Sequence, residues 1–391
     1  MRKIIFEILS VFLAWVAFTS AGSAKGFGEI TSSHATEHAT TCKLQSYVPY
    51  EALVLKEIFP KVIDKTPGRD VGSAQLFEPI RKIAEPLAIL GTRCLMHGGD
   101  SKVSPAGAKA DGGGKSADDS CNIFANWVEE LVKQDALRFD RDKHRRSPVS
   151  FVTGALSGNL TIRPIALYAG ALRDAGLIHL RSNSAFDEWL LRRVADYDNF
   201  PARLTPAAAQ NLVMNSVLAK LTVGITVGNP QPALNEGAEV YKLYLDTARA
   251  DGSFPAETRR GVSALKYSNM ATGGLVIMAE LATMEGRDLY QYRSPGGVDI
   301  HQSVGFVAKS ILDESGIAEY AKENYAPTDK IEGSVQARHF IRDHAGWMSI
   351  YMRRFPKHEN TKLLGQIMQS ERVRFSGYYD EILGAMAGCV W

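Results

Sequence analysis

The chain has 391 residues, 45% of them hydrophobic and 23% charged, which is long enough for a large core and for one or two domains. Its 45 Lys and Arg stand against 43 Asp and Glu, a net charge of +2. That balance excludes the overall basic field of a nucleic-acid binder, so no nucleic-acid partner is expected, and a polyanion would have to be met by a local basic cleft.

Residues 1–24 read as a secretory signal peptide. Arg2 and Lys3 form the charged start, Ile4–Phe18 is mostly apolar around Glu7, and Ser20–Ala24 offers small residues for cleavage near Ala24. The apolar run is short for a membrane span, and an uncleaved anchor is the alternative. The expected location is periplasmic or secreted, with no membrane association after cleavage. Export permits disulfides. Cys42, Cys94, Cys121 and Cys389 allow three pairings. Cys94 and Cys121 flank a Gly-rich loop and are expected to staple its ends, which leaves Cys42 and Cys389 to tie the two termini. No CxxC pattern suggests zinc, and His34 and His38 sit in loop-like composition, so no metal site is expected.

Residues 25–46 are polar and aperiodic and read as a mobile leader; residues 47–391 read as a single domain. Tyr50–Ile63 is a predicted helix, closed by a turn at 64–70 with Pro67, Gly68 and Arg69. Leu76–Met96 is a helix or pair of helices limited by Pro79 and Pro86. Residues 97–120 are rich in Gly, Ser and Asp. They read as an excursion loop rather than a linker, because similar helices continue on both sides. The run DGGGKS at 111–116 lacks the spacing and the preceding strand of a phosphate-binding loop.

Cys121–Leu137 places Ile123, Phe124, Trp127, Leu131 and Val132 at helical spacing. Residues 154–180 and 183–198 predict two more helices, the second capped at Asn183-Ser184. Thr205–Val227 is a long apolar helix, capped by Thr205 with Pro206 at its first position. Gln210, Asn211 and Asn215 interrupt it. Buried amides need partners, so these three either pair with one another or form a site. Glu236–Ala250 is a further helix.

Next comes DGSFPAETRRGVSALKYSNMATGGL, residues 251–275, a turn followed by a helical pattern from Pro255. Arg260 and Tyr267 are two helical turns apart, which puts a fixed cation and a phenol near one face, with Asn269 beside them. A phenol has an ordinary pKa of about 10, and a guanidinium nearby favours its ionised form. The same spacing also fits a Tyr in a helix interface and an Arg in a surface ion pair. Beyond it, Arg287–Asp299 is a loop and His301–Leu312 a helix opening on His301 and Gln302. Residues 332–356 carry Arg338, Arg342, His344 and Trp347, a cluster suited to a sugar acid: cation to carboxylate, indole to ring. A solvated helix face fits them individually as well. The tail through Cys389 is read as a last helix. The absence of sustained period-two alternation makes the fold all-α.

Asp251, Gly252, Pro255, Glu257, Arg260, Gly261, Ala264, Leu265 and Tyr267 spell the DGxxPxEx(2)RGxxALxY run of the alginate lyases, and the chain resembles that family over roughly Cys121 to Pro356. The resemblance implies an incomplete (α/α) toroid or barrel of helical hairpins. It implies a lyase that cleaves an anionic polyuronate, alginate at mannuronate linkages by default, by β-elimination. Tyr267 would act as base and then acid, with Arg260 and Asn211 stabilising the substrate carboxylate and no metal or organic cofactor required. Substrate contacts would come from Gln210, Asn215, Asn269, His301, Gln302, Arg338, Arg342, His344 and Trp347. One departure stands out. The family helix opens Asn-Asn-His, and here Asn211, Leu212 and Val213 fall on those places, so the histidine is absent and His301 or His344 would have to replace it. That leaves glucuronan as an alternative substrate and a non-catalytic polyuronate binder as an alternative function. A hydrolase would need paired carboxylates, and nothing in the sequence pairs Asp251, Glu257 and Asp299. Nothing in the sequence bears on oligomeric state.

Overall fold

Almost every side chain is buried along two of the helices, and they set the architecture. The structure, a computed structural model, describes residues 80–97, 119–139, 148–198, 211–323, 341–370, 372–373 and 378–389. The signal and leader, Tyr50–Ile63, Arg69, Gln210, Arg338 and most of the excursion loop lie outside the described residues. The helices are α1 Glu85–His97, entered through a π-helical turn at Ile80–Ala84, α2 Ser120–Lys133, α3 Pro148–Asp174 and α4 Asn183–Asp196. Then follow α5 Asn211–Thr226, α6 Gln231–Thr247, the single turn α7 Pro255–Thr258, and α8 Ala264–Met284. The chain continues with α9 Ile300–Leu312, α10 Ser315–Ala321, α11 Trp347–Arg354 and α12 Glu359–Gln369.

Helices apolar all round must be enclosed by protein. In α5 every residue from Val213 to Ala219 is buried, and in α8 every residue from Ser268 to Ala279. These two pack on each other, with α3 against α5. Amphipathic helices cover them. α6 buries Ala233, Leu234, Gly237, Ala238, Tyr241, Tyr244 and Leu245 on one stripe, pairs with α5 and also reaches α8. α9 pairs with α8 and carries α12 on its other side. Successive helices thus form hairpins around an inner wall, which meets the all-α expectation. No helix among the described residues is long and apolar enough to cross a membrane.

Three local expectations are corrected. The cap of α4 is Ser182, whose hydroxyl accepts from Ala185 N at 3.2 Å, rather than Asn183-Ser184. The motif at 255–275 is no continuous helix: α7 stops at Thr258, and Gly261, at φ +52°, turns the chain through a 3₁₀ segment, Gly261–Ser263, into α8. The tail forms a small antiparallel hairpin, β1 Tyr379–Asp380 with β2 Ala385–Met386, instead of a helix. Asp380 Oδ1 accepts from Ile382 N at 2.8 Å and Leu383 N at 3.1 Å, which closes a tight turn, and Gly384 takes φ +70°.

The predicted staple is present. Cys94 and Cys121 are joined with Cα atoms 4.8 Å apart, tying α1 to α2. Cys389 is disulfide-bonded too, and its expected partner Cys42 lies outside the described residues.

Candidate active site

Arg260 and Tyr267 meet, although no shared helix aligns them. The Arg260 guanidinium carbon lies 4.0 Å from the centroid of the Tyr267 ring, a cation–π contact made across the break at Gly261. Lys266 Nζ lies 5.6 Å from the same ring. Burial lowers the Lys266 ammonium from its usual range, opposed by the Glu381 carboxylate and assisted by Arg260.

Asn211 reaches this cluster through Glu257. Glu257 is 1% exposed, and its Oε1 accepts from Asn211 N at 2.9 Å and from Tyr244 OH at 3.1 Å. Its Oε2 accepts from Asn211 Nδ2 at 3.4 Å. Burial pushes the carboxyl up to about 7, against the pull of the Tyr244 bond, the Arg260 charge and the two Asn211 bonds. Asn215 Nδ2 donates to Asn211 O at 2.8 Å, and its Oδ1 accepts from Arg163 Nη1 at 3.4 Å. Arg163 is buried in α3. Burial lowers it to about 10, opposed by Tyr379 and Asp380, and its Nη2 donates to Ile382 O at 2.8 Å. Asn215 therefore pairs with the backbone of Asn211 rather than with its amide, and the two residues link Arg163 to Glu257, whose carboxyl feels the Arg260 charge.

The C-terminal hairpin supplies two acids near this cluster. Glu381 Oε2 is 3.6 Å from His344 Nε2. Asp380 Oδ2 accepts from Gly346 N at 2.7 Å. Burial raises the Asp380 carboxyl, opposed by His344 and its backbone donors. Glu381 thus stands between two basic side chains, His344 and Lys266, the neighbour of Tyr267 in sequence. Val213 is buried.

Several expected substrate contacts are corrected. Trp347 is fully buried with its indole N–H donated to Asn269 Oδ1 at 3.0 Å, so its ring cannot stack on a sugar. Asn269 Nδ2 donates to His344 O at 2.7 Å, so this amide joins α8 to the start of α11. Gln302 spends both ends on structure: Oε1 accepts from Asp299 N at 2.8 Å in a capping box, and Nε2 donates to Ala250 O at 3.3 Å. His301 is not brought to Tyr267. Its Nδ1 lies 2.7 Å from Tyr351 OH, and its ring stacks on His358 at 4.5 Å. His301 and Gln302 instead line a cavity of about 1030 Å³ together with Asp251, Asp299 and His358, a lining that includes neither Arg260 nor Tyr267. Arg342 is exposed. Asp251, Glu257 and Asp299 do not converge: Asp251 accepts from Tyr320 OH, Asp299 caps α9, and Glu257 is enclosed. Among the described residues no group of three or more His, Cys, Asp or Glu side chains is gathered as a metal site.

Sequence reading missed the supporting parts: Arg163, Tyr244, Asp380 and Glu381, and the link from Glu257 to Asn211. A signal existed for Arg163, a lone cation inside the apolar run GNLTIRPIALYAG, since arginine is rarely enclosed without partners.

Residues 120–317 match the family model described as alginate lyase. A polysaccharide lyase of Stenotrophomonas maltophilia (strain K279a) is 28% identical over 120 residues, a match spanning 31% of this chain and about a third, 31%, of that protein. Alginate lyase A1-III from Sphingomonas species A1 superposes with a TM-score of 0.55 at 17% identity, covering 92% of this chain and 89% of that one. A tyrosine-to-phenylalanine variant of alginate lyase A1-III complexed with tetrasaccharide superposes with a TM-score of 0.59, also at 17% identity, over 94% and 95% of the two chains. At such identity the structural likeness speaks to the fold.

Proposed function

The chain belongs to the alginate lyase family, and on that footing we propose that its Arg260–Tyr267 site cleaves a polyuronate by β-elimination. The observation that carries this reading is the guanidinium held 4.0 Å over the Tyr267 ring, with Asn211 anchored alongside by Glu257.

The C5 proton of a uronate is too weakly acidic to leave unless the charge spreading onto the C6 carboxylate is stabilised. Asn211 and Arg260 supply an amide donor and a fixed cation for that carboxylate. Tyr267 takes the C5 proton, the C4–O4 bond breaks as the C4=C5 double bond forms, and the same phenol returns the proton to O4. The products are a new chain end and a 4,5-unsaturated uronate. In D-mannuronate and D-glucuronate units the C5 proton and O4 lie on one side, so one phenol serves both steps. His344, paired with Glu381, is the candidate for the role of the missing family histidine. No metal or organic cofactor enters this scheme. The preferred substrate is alginate at mannuronate linkages, with glucuronan as the alternative that the valine at 213 keeps open.

The test is near-ultraviolet absorbance of unsaturated uronate ends on polymannuronate, polyguluronate, glucuronan and hyaluronan. A rise on one polymer names the substrate. A flat trace on all four with folded protein overturns the lyase reading in favour of a polyuronate binder. Tyr267→Phe is expected to lower kcat by about 100- to 10,000-fold, the usual range for a positioned acid–base group. Near-normal turnover in a folded variant would remove Tyr267 from the mechanism. The same proposal includes cleavage of residues 1–24 and a periplasmic or secreted location. Mass spectrometry of the mature N-terminus checks it, and a chain that keeps Met1 would refute it.

A further inference from the structure

We propose that Glu257 is a positioning residue for this elimination, setting which end of the Asn211 amide faces the substrate carboxylate. The inference rests on the lyase reading above and deepens it.

Three donors converge on Glu257, and two of them belong to Asn211: the backbone N–H at the start of α5, at 2.9 Å, and the side-chain Nδ2 at 3.4 Å. An ionised carboxylate only accepts hydrogen bonds. While Glu257 is charged it attracts the Nδ2 end of Asn211 and repels the Oδ1 end, so the amide has one orientation. Asn215 fixes the backbone of the same residue by donating to Asn211 O at 2.8 Å. Held this way, the second Nδ2 hydrogen remains for a substrate carboxylate. A protonated Glu257 becomes a donor and welcomes Oδ1 instead. The amide then turns over and presents oxygen to an anion, which repels it.

The groups around Glu257 leave it as the titrating member. From α6, Tyr244 donates its hydroxyl, and burial together with Glu257 itself keeps that phenol well above its ordinary range. Arg260, after α7, contributes its fixed charge, and α5 contributes the neutral Asn211. The other cations of the turn are paired away from it: Arg249 Nη1 donates to Thr258 Oγ1 at 2.8 Å, and Arg259 Nε meets Glu323 at 2.6 Å. With the carboxyl pushed up to about 7 by burial, the productive orientation is populated above neutrality and lost below it.

The experiment measures kcat and KM from pH 5 to 9 on the polymer that the wild type cuts, for wild type, Glu257→Gln, Asn211→Ala and the double variant. Glu257→Gln is expected to lower kcat by about tenfold or more, the scale of one charge-assisted hydrogen bond, and to leave KM within about threefold. It is also expected to abolish an acid limb centred near pH 7. The double variant should be no slower than Asn211→Ala alone, because the two residues act as one unit. A kcat close to wild type, an unchanged acid limb, or losses that multiply in the double variant would each overturn the proposal. Should Glu257→Gln fail to fold, Tyr244→Phe serves: it removes a donor that favours the ionised form, so the acid limb must move to higher pH, and an unmoved limb refutes the idea. A wild type inactive on every polymer overturns the lyase reading itself. An active wild type matched by Glu257→Gln overturns only the role of Glu257.

Discussion

At the scale of single residues, burying a carboxylate beside the site carries a stability penalty that depends on pH. Glu257 has its carboxyl raised from 4.5 to about 7 in the fold, chiefly by burial. A raised folded value means the contribution to stability is fully present below the unfolded value and is lost as pH rises through the folded one. Between pH 4.5 and 8 the wild type should therefore lose about 3 kcal/mol more stability than Glu257→Gln, because each tenfold change in proton affinity is worth about 1.4 kcal/mol. Urea unfolding of both proteins across that window checks it, and parallel curves would contradict it. The sequence disclosed the identity of this residue and hid its work. In the sequence Glu257 stands as one letter of the run at 251–267 and as a carboxylate with no partner, and the approach of α5, forty-six positions earlier, and of Tyr244 on α6 encloses it. Arg260 and Tyr267 were legible as a pair, though for a different reason than spacing on a helix. Gly261, with its positive φ, breaks that helix, and the contact is made by the guanidinium folding back over the ring.

At the scale of elements, the joint between α8 and α11 decides where the first turns of α8 sit. Gly273 faces the Trp347 indole so closely that a Cβ would overlap the ring. The indole in turn holds Asn269, two residues after Tyr267. Gly273→Ala should cost about 1–3 kcal/mol through overpacking, read by urea unfolding, despite the better helix propensity of alanine. A neutral or stabilising result would mean that the joint is looser than described. Such joints explain the limits of the sequence reading. An apolar run announced α5 as a long helix, and the pattern from Pro255 announced helix at α8. Which helix approaches is a property of the packed molecule. The tail shows the converse: EILGAMAG has helix-forming composition, but the Asp380 turn and Gly384 at φ +70° fold it into a hairpin.

At the scale of the whole molecule, the cross-link between Cys94 and Cys121 constrains the unfolded chain as well as the fold. It closes a loop with a sequence separation of 27. Removing it with Cys94→Ser and Cys121→Ser together should lower stability by about 3 kcal/mol, mainly by restoring entropy to the unfolded state. Urea unfolding again reads the change, and a loss well under 1 kcal/mol would show that the packing of α1 on α2 suffices without the bond. The pairing was legible because both cysteines border a stretch rich in Gly, Ser and Asp and poor in apolar residues. The hairpin's docking was not, because its partners lie far away in sequence: Met386 N donates to Tyr168 OH at 3.0 Å, and Arg163 reaches Ile382.

That docking carries a consequence in time. A ribosome makes Arg163, Asn211, Glu257 and Tyr267 well before it makes residues 378–389. Yet the carbonyls that seat Arg163 and the carboxylate that faces Lys266 and His344 both come from this later stretch. Contacts spanning some two hundred residues close late, because the intervening chain must first be ordered. The nascent protein therefore carries Tyr267 and Arg260 long before it has the charge pattern around them, and the candidate site is assembled only when residues 378–389 dock.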